Sequence, residues 1–401
     1  MRTYCQNESR HTVIACVLIF LVSACDSKNT ATPSGSDAGH DAHLASTDVG
    51  GVSDTSMPNS QDMDTFETDI GEGLPVDAGV ASDVGERSDM QGPPPMPGPL
   101  DLSAPCEEQP AAAPLESTPG VLGNGVGYLY IVPENAHSLL FAFHGGNGSK
   151  EENFEQRVES VLVLKEAIER GYAVISLDSI KHSDPNAQNR QWNEQEPQEN
   201  PDVQNVSTLI ELFRGELGLV PADAPVVVVG FSNGGSMASR TAQMSVVSAA
   251  AIYISNAQYY SEANARIPPT VFLPGANDPG HALGSNQMYM TMIEESGRIA
   301  ELYVNPAEPA TLGVFTRAVG VNCETSKAII GALIESGWMD ELGNLLQDPK
   351  SSLQWSQNLP ASVSERSVQS QLRDILIELN GGHSPSAQWN SQVFSFLETH
   401  R

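Results

Sequence analysis

The sequence predicts a three-layer α/β domain with a mostly parallel central sheet, and three observations carry that expectation. After residue 106, short runs that are apolar at every position alternate with stretches whose apolar residues recur at helical spacing. Uniformly apolar runs suit strands covered by helices on both faces, and their alternation with helices is the pattern of successive βαβ units. Finally, Gly230-Phe231-Ser232-Asn233-Gly234-Gly235 follows a run of valines and leads into a helical stretch, a strand–turn–helix passage. A length of 401 residues would allow two or three domains by division, but the composition changes too sharply along the chain for that.

The chain opens with Arg2 and Arg10 and then an apolar run over residues 13–22. Ten residues of helix span about 15 Å, roughly half a bilayer core, so the run suits a secretory signal rather than a spanning helix. Val22-Ser23-Ala24-Cys25 follows at once and resembles a bacterial lipobox. That resemblance implies a signal peptide over residues 1–24 and lipidation of Cys25. The protein would then sit at the bacterial cell envelope, facing away from the cytoplasm and attached to the membrane through its lipid alone. A plain secretory signal, giving a secreted protein, is the alternative.

Residues 25–105 read as a disordered Asp/Gly/Pro-rich tether. They hold one aromatic residue, Phe66, and repeat a small unit seen at Asp37-Ala38-Gly39, Asp48-Val49-Gly50 and Asp77-Ala78-Gly79. Such a segment buries too little apolar surface to offset its ordering entropy. About 80 flexible residues reach on the order of 50 Å. Calcium binding is excluded for Asp62-Met63-Asp64-Thr65-Phe66, which fails the EF-hand spacing at its third ligand and lacks the following Gly.

The net charge of −30 is unevenly placed: residues 26–105 carry fifteen acids against two bases, and residues 106–401 carry 34 acids against 16 bases. Neither part offers a basic patch, which excludes nucleic acid as a partner. Of five cysteines, Cys5 and Cys16 fall in the signal and Cys25 is the lipid site. Cys106 and Cys323 remain, and in an oxidising compartment they are candidates for one disulfide, with two buried thiols as the alternative.

Within the domain, strands are expected at 138–143, 172–177, 225–229, 269–273 and 300–304, and helices at 154–170, 206–217 and from near Ser236. Gly230-Phe231-Ser232-Asn233-Gly234 fits the turn that presents a nucleophilic serine, with Ser232 at its apex. The glycines flank a turn too tight for side chains, and the following helix points its positive end at developing charge. His144-Gly145-Gly146-Asn147-Gly148 ends an earlier strand, where one backbone N–H of an oxyanion hole belongs; Gly146 is the first choice and Asn147 the neighbour, with Asn233 supplying the second donor. Pro274-Gly275-Ala276-Asn277-Asp278 follows a late strand and places Asp278 where an acid would orient a histidine. Gly381-Gly382-His383 precedes a C-terminal amphipathic helix containing Trp389, Val393, Phe394 and Leu397. The order Ser232, Asp278, His383 is that of α/β-hydrolases, while His281 stands too near Asp278 in sequence for easy geometry.

Together these motifs resemble the branch of α/β-hydrolases that contains secreted poly(3-hydroxybutyrate) depolymerases and feruloyl esterases, over roughly residues 120–305 and 380–401. The resemblance implies a serine esterase on a three-layer α/β-hydrolase fold, acting on polymeric or aromatic esters through an acyl-enzyme, with no cofactor and no metal. A prolyl-oligopeptidase-like serine peptidase shares the triad order, and a lipid-anchored binding protein that retains the fold is the non-enzymatic alternative. One departure stands out. About 78 residues separate the strand ending near residue 304 from His383. Helices expected at 326–346 and 364–379 make residues 306–379 a helical insertion, read as a cap or lid. The polar stretch 183–205, with Trp192, is either a second pocket wall or a surface loop.

Overall fold

The structure is a computed structural model that describes residues 98–401 except 183, 185, 186, 188, 259–265 and 281. The signal peptide, Cys25, nearly all of the tether and His281 lie outside the described residues.

Eight strands form one sheet: β1 (Thr118–Val121), β2 (Gly127–Ile131), β3 (Ser138–Phe143), β4 (Tyr172–Leu177), β5 (Val226–Phe231), β6 (Val247–Tyr253), β7 (Thr270–Leu273) and β8 (Ala300–Leu302). Their order is β1-β2-β4-β3-β5-β6-β7-β8. β2 runs antiparallel to both neighbours, and every pairing from β4 to β8 is parallel. The all-apolar runs become the central strands because both of their faces are covered. Leu139, Phe141 and Phe143 enter one core with Val226 and Val228, while Leu140 and Ala142 enter the other with Val227 and Val229.

Helices α1 (Val158–Glu169), α2 (Pro201–Glu211), α3 (Asn233–Thr241), α4 (Ala282–Glu295), α5 (Cys323–Glu335), α6 (Arg366–Leu379) and α7 (Asn390–His400) complete the domain. α1 and α7 cover one face through Leu164 and Phe394. α2, α3 and α4 cover the other through Val206, Met237 and Ile293. This is the expected three-layer arrangement.

Several boundaries differ from expectation for identifiable reasons. α2 starts five residues early because Asn200 caps it, its side chain accepting from the N–H groups of Asp202 and Val203, with Pro201 at the first helical position. α3 starts at Asn233, since the turn consumes only Ser232. The helix expected through residue 346 stops at Glu335. Gly337 at φ 73° closes a Schellman motif there, with the Trp338 N–H donating to Leu333 and the Gly337 N–H to Ile334.

Residues 306–379 build a third core, with Phe315, Ile330, Trp355 and Leu376 packed against Val158 and Val161 of α1. Leu100 and Leu102, read as tether, pack against this core, and the Leu100 N–H donates to Glu341. The folded part therefore takes in residues ahead of Cys106. Cys106 and Cys323 are joined in a disulfide, Cα–Cα 5.8 Å, which ties the start of the domain to the first residue of α5.

Candidate active site

β5 passes directly into α3 through Ser232, whose backbone sits at φ 54°, ψ −124°. Such a conformation is strained for a residue with a side chain and is held by the surrounding structure. The Ser232 N–H is tied to the Tyr253 carbonyl at 3.0 Å, and its own carbonyl accepts from Gly235 at 2.7 Å. Both flanking glycines are sterically required: a Cβ on Gly230 would overlap the Gly234 carbonyl, and one on Gly234 would overlap the Phe143 carbonyl of β3.

His383 arrives from the far end of the insertion. α6 ends in a second Schellman motif, with Gly381 at φ 60°, the Gly382 N–H donating to Ile377 and the Gly381 N–H to Glu378. The two glycines thus stop α6 and turn the chain so that His383 reaches the serine. His383 Nε2 lies 2.7 Å from Ser232 Oγ, and His383 Nδ1 lies 2.9 Å from Asp278 Oδ2. Burial disfavours the Asp278 charge, but hydrogen bonds from His383 and the Gly280 N–H outweigh it, so its carboxyl stays below the usual range.

The oxyanion candidates are also brought together. Gly146 sits against Asn233, since a Cβ on it would lie 3.7 Å from the Asn233 Cβ. Asn233 opens α3, so its N–H is one of the donors that a helix start leaves free. Asn147, the alternative to Gly146, is at φ 62°, and its side chain accepts from the Arg190 N–H.

Trp192, in the polar stretch after β4, has a structural place. It is fully buried, neither a pocket wall nor a surface residue. Its indole donates to the His144 carbonyl at 2.8 Å, its backbone N–H donates to the Asn233 side chain at 2.9 Å, and its ring lies against His144. One residue, through its indole on one side and its backbone N–H on the other, therefore braces both halves of the candidate oxyanion site. His144 is a structural group: Nδ1 donates to Gly145, and burial holds its imidazole below the usual range and neutral. From the other side, Lys150 grips Asp178 with its backbone N–H and its ammonium.

Ser232, His383, Gly145 and Gly146 border a cavity of about 220 Å³. Its remaining wall includes residues that sequence reasoning did not single out: Glu152 and Arg157 before and at the start of α1, Ile254 after β6, and Lys350, Arg373 and Ile377 from the insertion. Ile254 is held at φ 45° by its N–H bond to Leu273, a conformation that no sequence signal announces for a β-branched residue.

No family model and no curated protein matches the chain. Among solved structures it is similar to Thermogutta terrifontis esterase 2 phosphorylated by paraoxon, at 16% identity over 56% of this chain and 95% of that one, TM-score 0.36. The Francisella virulence factor BioJ is similar at 12% identity over 55% of this chain and 83% of that one, TM-score 0.37. So is the Pyrococcus horikoshii acylaminoacyl peptidase, at 12% identity, 47% of this chain and TM-score 0.35; the chain spans only 36% of that peptidase. At these scores the assignment rests on the strand order and the serine turn: the domain has the α/β-hydrolase fold, with a long insertion ahead of His383.

Proposed function

We propose that the chain is a serine hydrolase that cleaves carboxylic esters through an acyl-enzyme. The observation that carries this reading is the continuous hydrogen-bonded path from Ser232 Oγ through His383 to Asp278, at 2.7 and 2.9 Å. His383 Nε2 takes the Ser232 proton as Oγ attacks the ester carbonyl, and then delivers it to the departing alkoxide. Asp278 keeps Nδ1–H pointed toward itself and stabilises the imidazolium while it exists. The N–H groups of Gly146 and Asn233 receive the negative charge of the tetrahedral intermediate; removing one such donor elsewhere costs about 10²–10³ in kcat. Water, activated by the same histidine, then releases the acid.

Ester rather than amide cleavage is supported by the resemblance of the four sequence motifs. The test is fluorophosphonate labelling together with hydrolysis of short p-nitrophenyl esters and of peptide amides. Labelling at Ser232 with ester turnover is expected; a wild type that reacts no faster than Ser232→Ala would sink the reading. A preference for amides would move it to the peptidases.

We also propose that Cys25 anchors the enzyme outside the cytoplasm through residues 26–97. The apolar run before Cys25 and the Cys106–Cys323 disulfide, which suits an oxidising compartment, support this. Cys25→Ala should release activity into the soluble fraction and abolish labelling by a fatty acid.

A further inference from the structure

The wall opposite Ser232 is set by the register of α6. Asp374 and Glu378, one turn apart, are bound by Arg157 at 2.7 Å and Arg317 at 3.0 Å. The first ties this stripe of the helix directly to the residue before α1; the second reaches α1 through Arg317, which also pairs with Glu159. The adjacent stripe, Arg373 and Ile377, also one turn apart, is thereby turned to the cavity that Ser232 and His383 border. Lys350 joins it from the preceding loop, close enough to Asp278 for its charge to help hold that carboxyl down.

Three cations therefore line one cavity of about 220 Å³. One of them is already matched: Arg157 is held by Glu152 at 3.0 Å as well as by Asp374, and Glu152 is the one carboxylate among the lining residues. Among the described residues neither Lys350 nor Arg373 makes an ion pair, and the Arg373 Nε is buried without a hydrogen-bond partner. Composition does not produce this, since residues 106–401 carry 34 acids against 16 bases. Cations without an ion pair at the edge of a cavity offer a favourable place to an anion bound there.

We propose that Arg373 and Lys350 recognise a negatively charged group on the substrate, so that the enzyme prefers short esters carrying a second, ionised carboxylate over neutral esters of the same shape. This rests on the serine-hydrolase reading above and narrows its substrate class. The small volume favours a short substrate, with a few carbon atoms beyond the scissile carbonyl.

The test uses the full chain and matched pairs of esters. On the acyl side, p-nitrophenyl hemiglutarate is compared with its methyl ester; on the alcohol side, meta-carboxyphenyl butyrate is compared with its methyl ester. We expect kcat/KM for the anionic member of at least one pair to exceed that of its neutral twin about tenfold, which is about 1.4 kcal/mol. That ratio should fall toward one in Lys350→Gln, in Arg373→Gln and with added salt. Lys350 is exposed, so its variant is not expected to disturb folding. If neither pair favours the anion, or if both variants leave the ratio unchanged, the proposal is overturned. Calorimetry on Ser232→Ala keeps the two readings apart: monomethyl glutarate should bind and dimethyl glutarate should not, whether or not wild type turns over. Equal binding of the two would overturn the proposal, whereas failure of Ser232 to take a fluorophosphonate would overturn the hydrolase reading alone.

Discussion

The backbone N–H of Asn277 donates to the carbonyl of Gly381 at 2.8 Å, and the Asn277 side chain donates to the Asn380 carbonyl, also at 2.8 Å. Asn277 precedes Asp278, and Gly381 lies two residues ahead of His383. The loops that carry the acid and the histidine are thus fastened to each other through their backbones. Gly275 makes the close approach possible, because a Cβ there would overlap the carbonyls of Gly381 and Gly382. The distance between Asp278 and His383 is a property of this joint as much as of the two side chains.

Gly381→Ala should therefore harm activity more than stability. Its φ of 60° strains any side chain, and the added Cβ would meet the backbone of Asn305 and Ala307 at 2.8 to 2.9 Å. A loss of about 1–3 kcal/mol is expected. A fall in kcat of more than tenfold, at a temperature where melting shows the variant fully folded, is the outcome that separates displacement of His383 from simple unfolding.

Ser232→Ala and His383→Ala should each remove nearly all turnover, with Asp278→Asn costing about 10⁴ in kcat because it leaves the imidazole in the wrong tautomer. Double variants should be no worse than Ser232→Ala, since residues acting as one unit are not additive. Single-turnover rates on a p-nitrophenyl ester measure this.

Trp192→Phe deletes the indole donor to the buried His144 carbonyl while keeping an aromatic ring. An unsatisfied buried acceptor costs about 1–3 kcal/mol. Because that carbonyl belongs to the loop carrying Gly146, kcat should fall with little change in KM. Steady-state kinetics beside a urea titration would show both effects; unchanged kcat would refute the bracing role.

The buried Arg317 sits between Glu159 at 2.6 Å and Glu378 at 3.0 Å. Burial dominates and pushes the Glu159 carboxyl up to about 7, against the pull of Arg317. A folded pKa above the unfolded one means that the folded protein holds the proton more tightly. The resulting stability is full below the unfolded value and is lost as pH rises through about 7. Melting temperature should decline between about pH 5 and 7, and Glu159→Gln should flatten that decline.

Cys106→Ser should lower stability by about 5 kcal/mol, because the bridge closes a loop of 217 residues in the unfolded chain. Reductant should reproduce the shift in the wild type and leave the variant unmoved.

What could be read from the residues alone, and what could not, follows from where each signal resides. β3 and β4 were legible to the residue, since a buried parallel strand is one contiguous apolar run between polar borders. β6 was not, because Ser248-Ala249-Ala250-Ala251 has little strand preference and is a strand only through pairing with β5 and β7. α5 ends at Glu335 rather than near residue 346 because Gly337 is the helix stop, and in the sequence alone it looks like any isolated glycine.

The candidate site divides in the same way. Ser232, Asp278 and His383 stand out because the chemistry restricts residue type, because glycines mark the turns, and because chain order restricts which acid and which histidine serve the serine. Their neighbours carry no such mark. Trp192, Arg373 and Lys350 are a tryptophan, an arginine and a lysine like any others until the fold sets Trp192 against His144 and Asn233 and brings Arg373 and Lys350 to the cavity. A nucleophile and its turn are local properties that the amino-acid order can announce. A pocket's wall is assembled from segments more than a hundred residues apart, so its charge and size exist only once those segments meet.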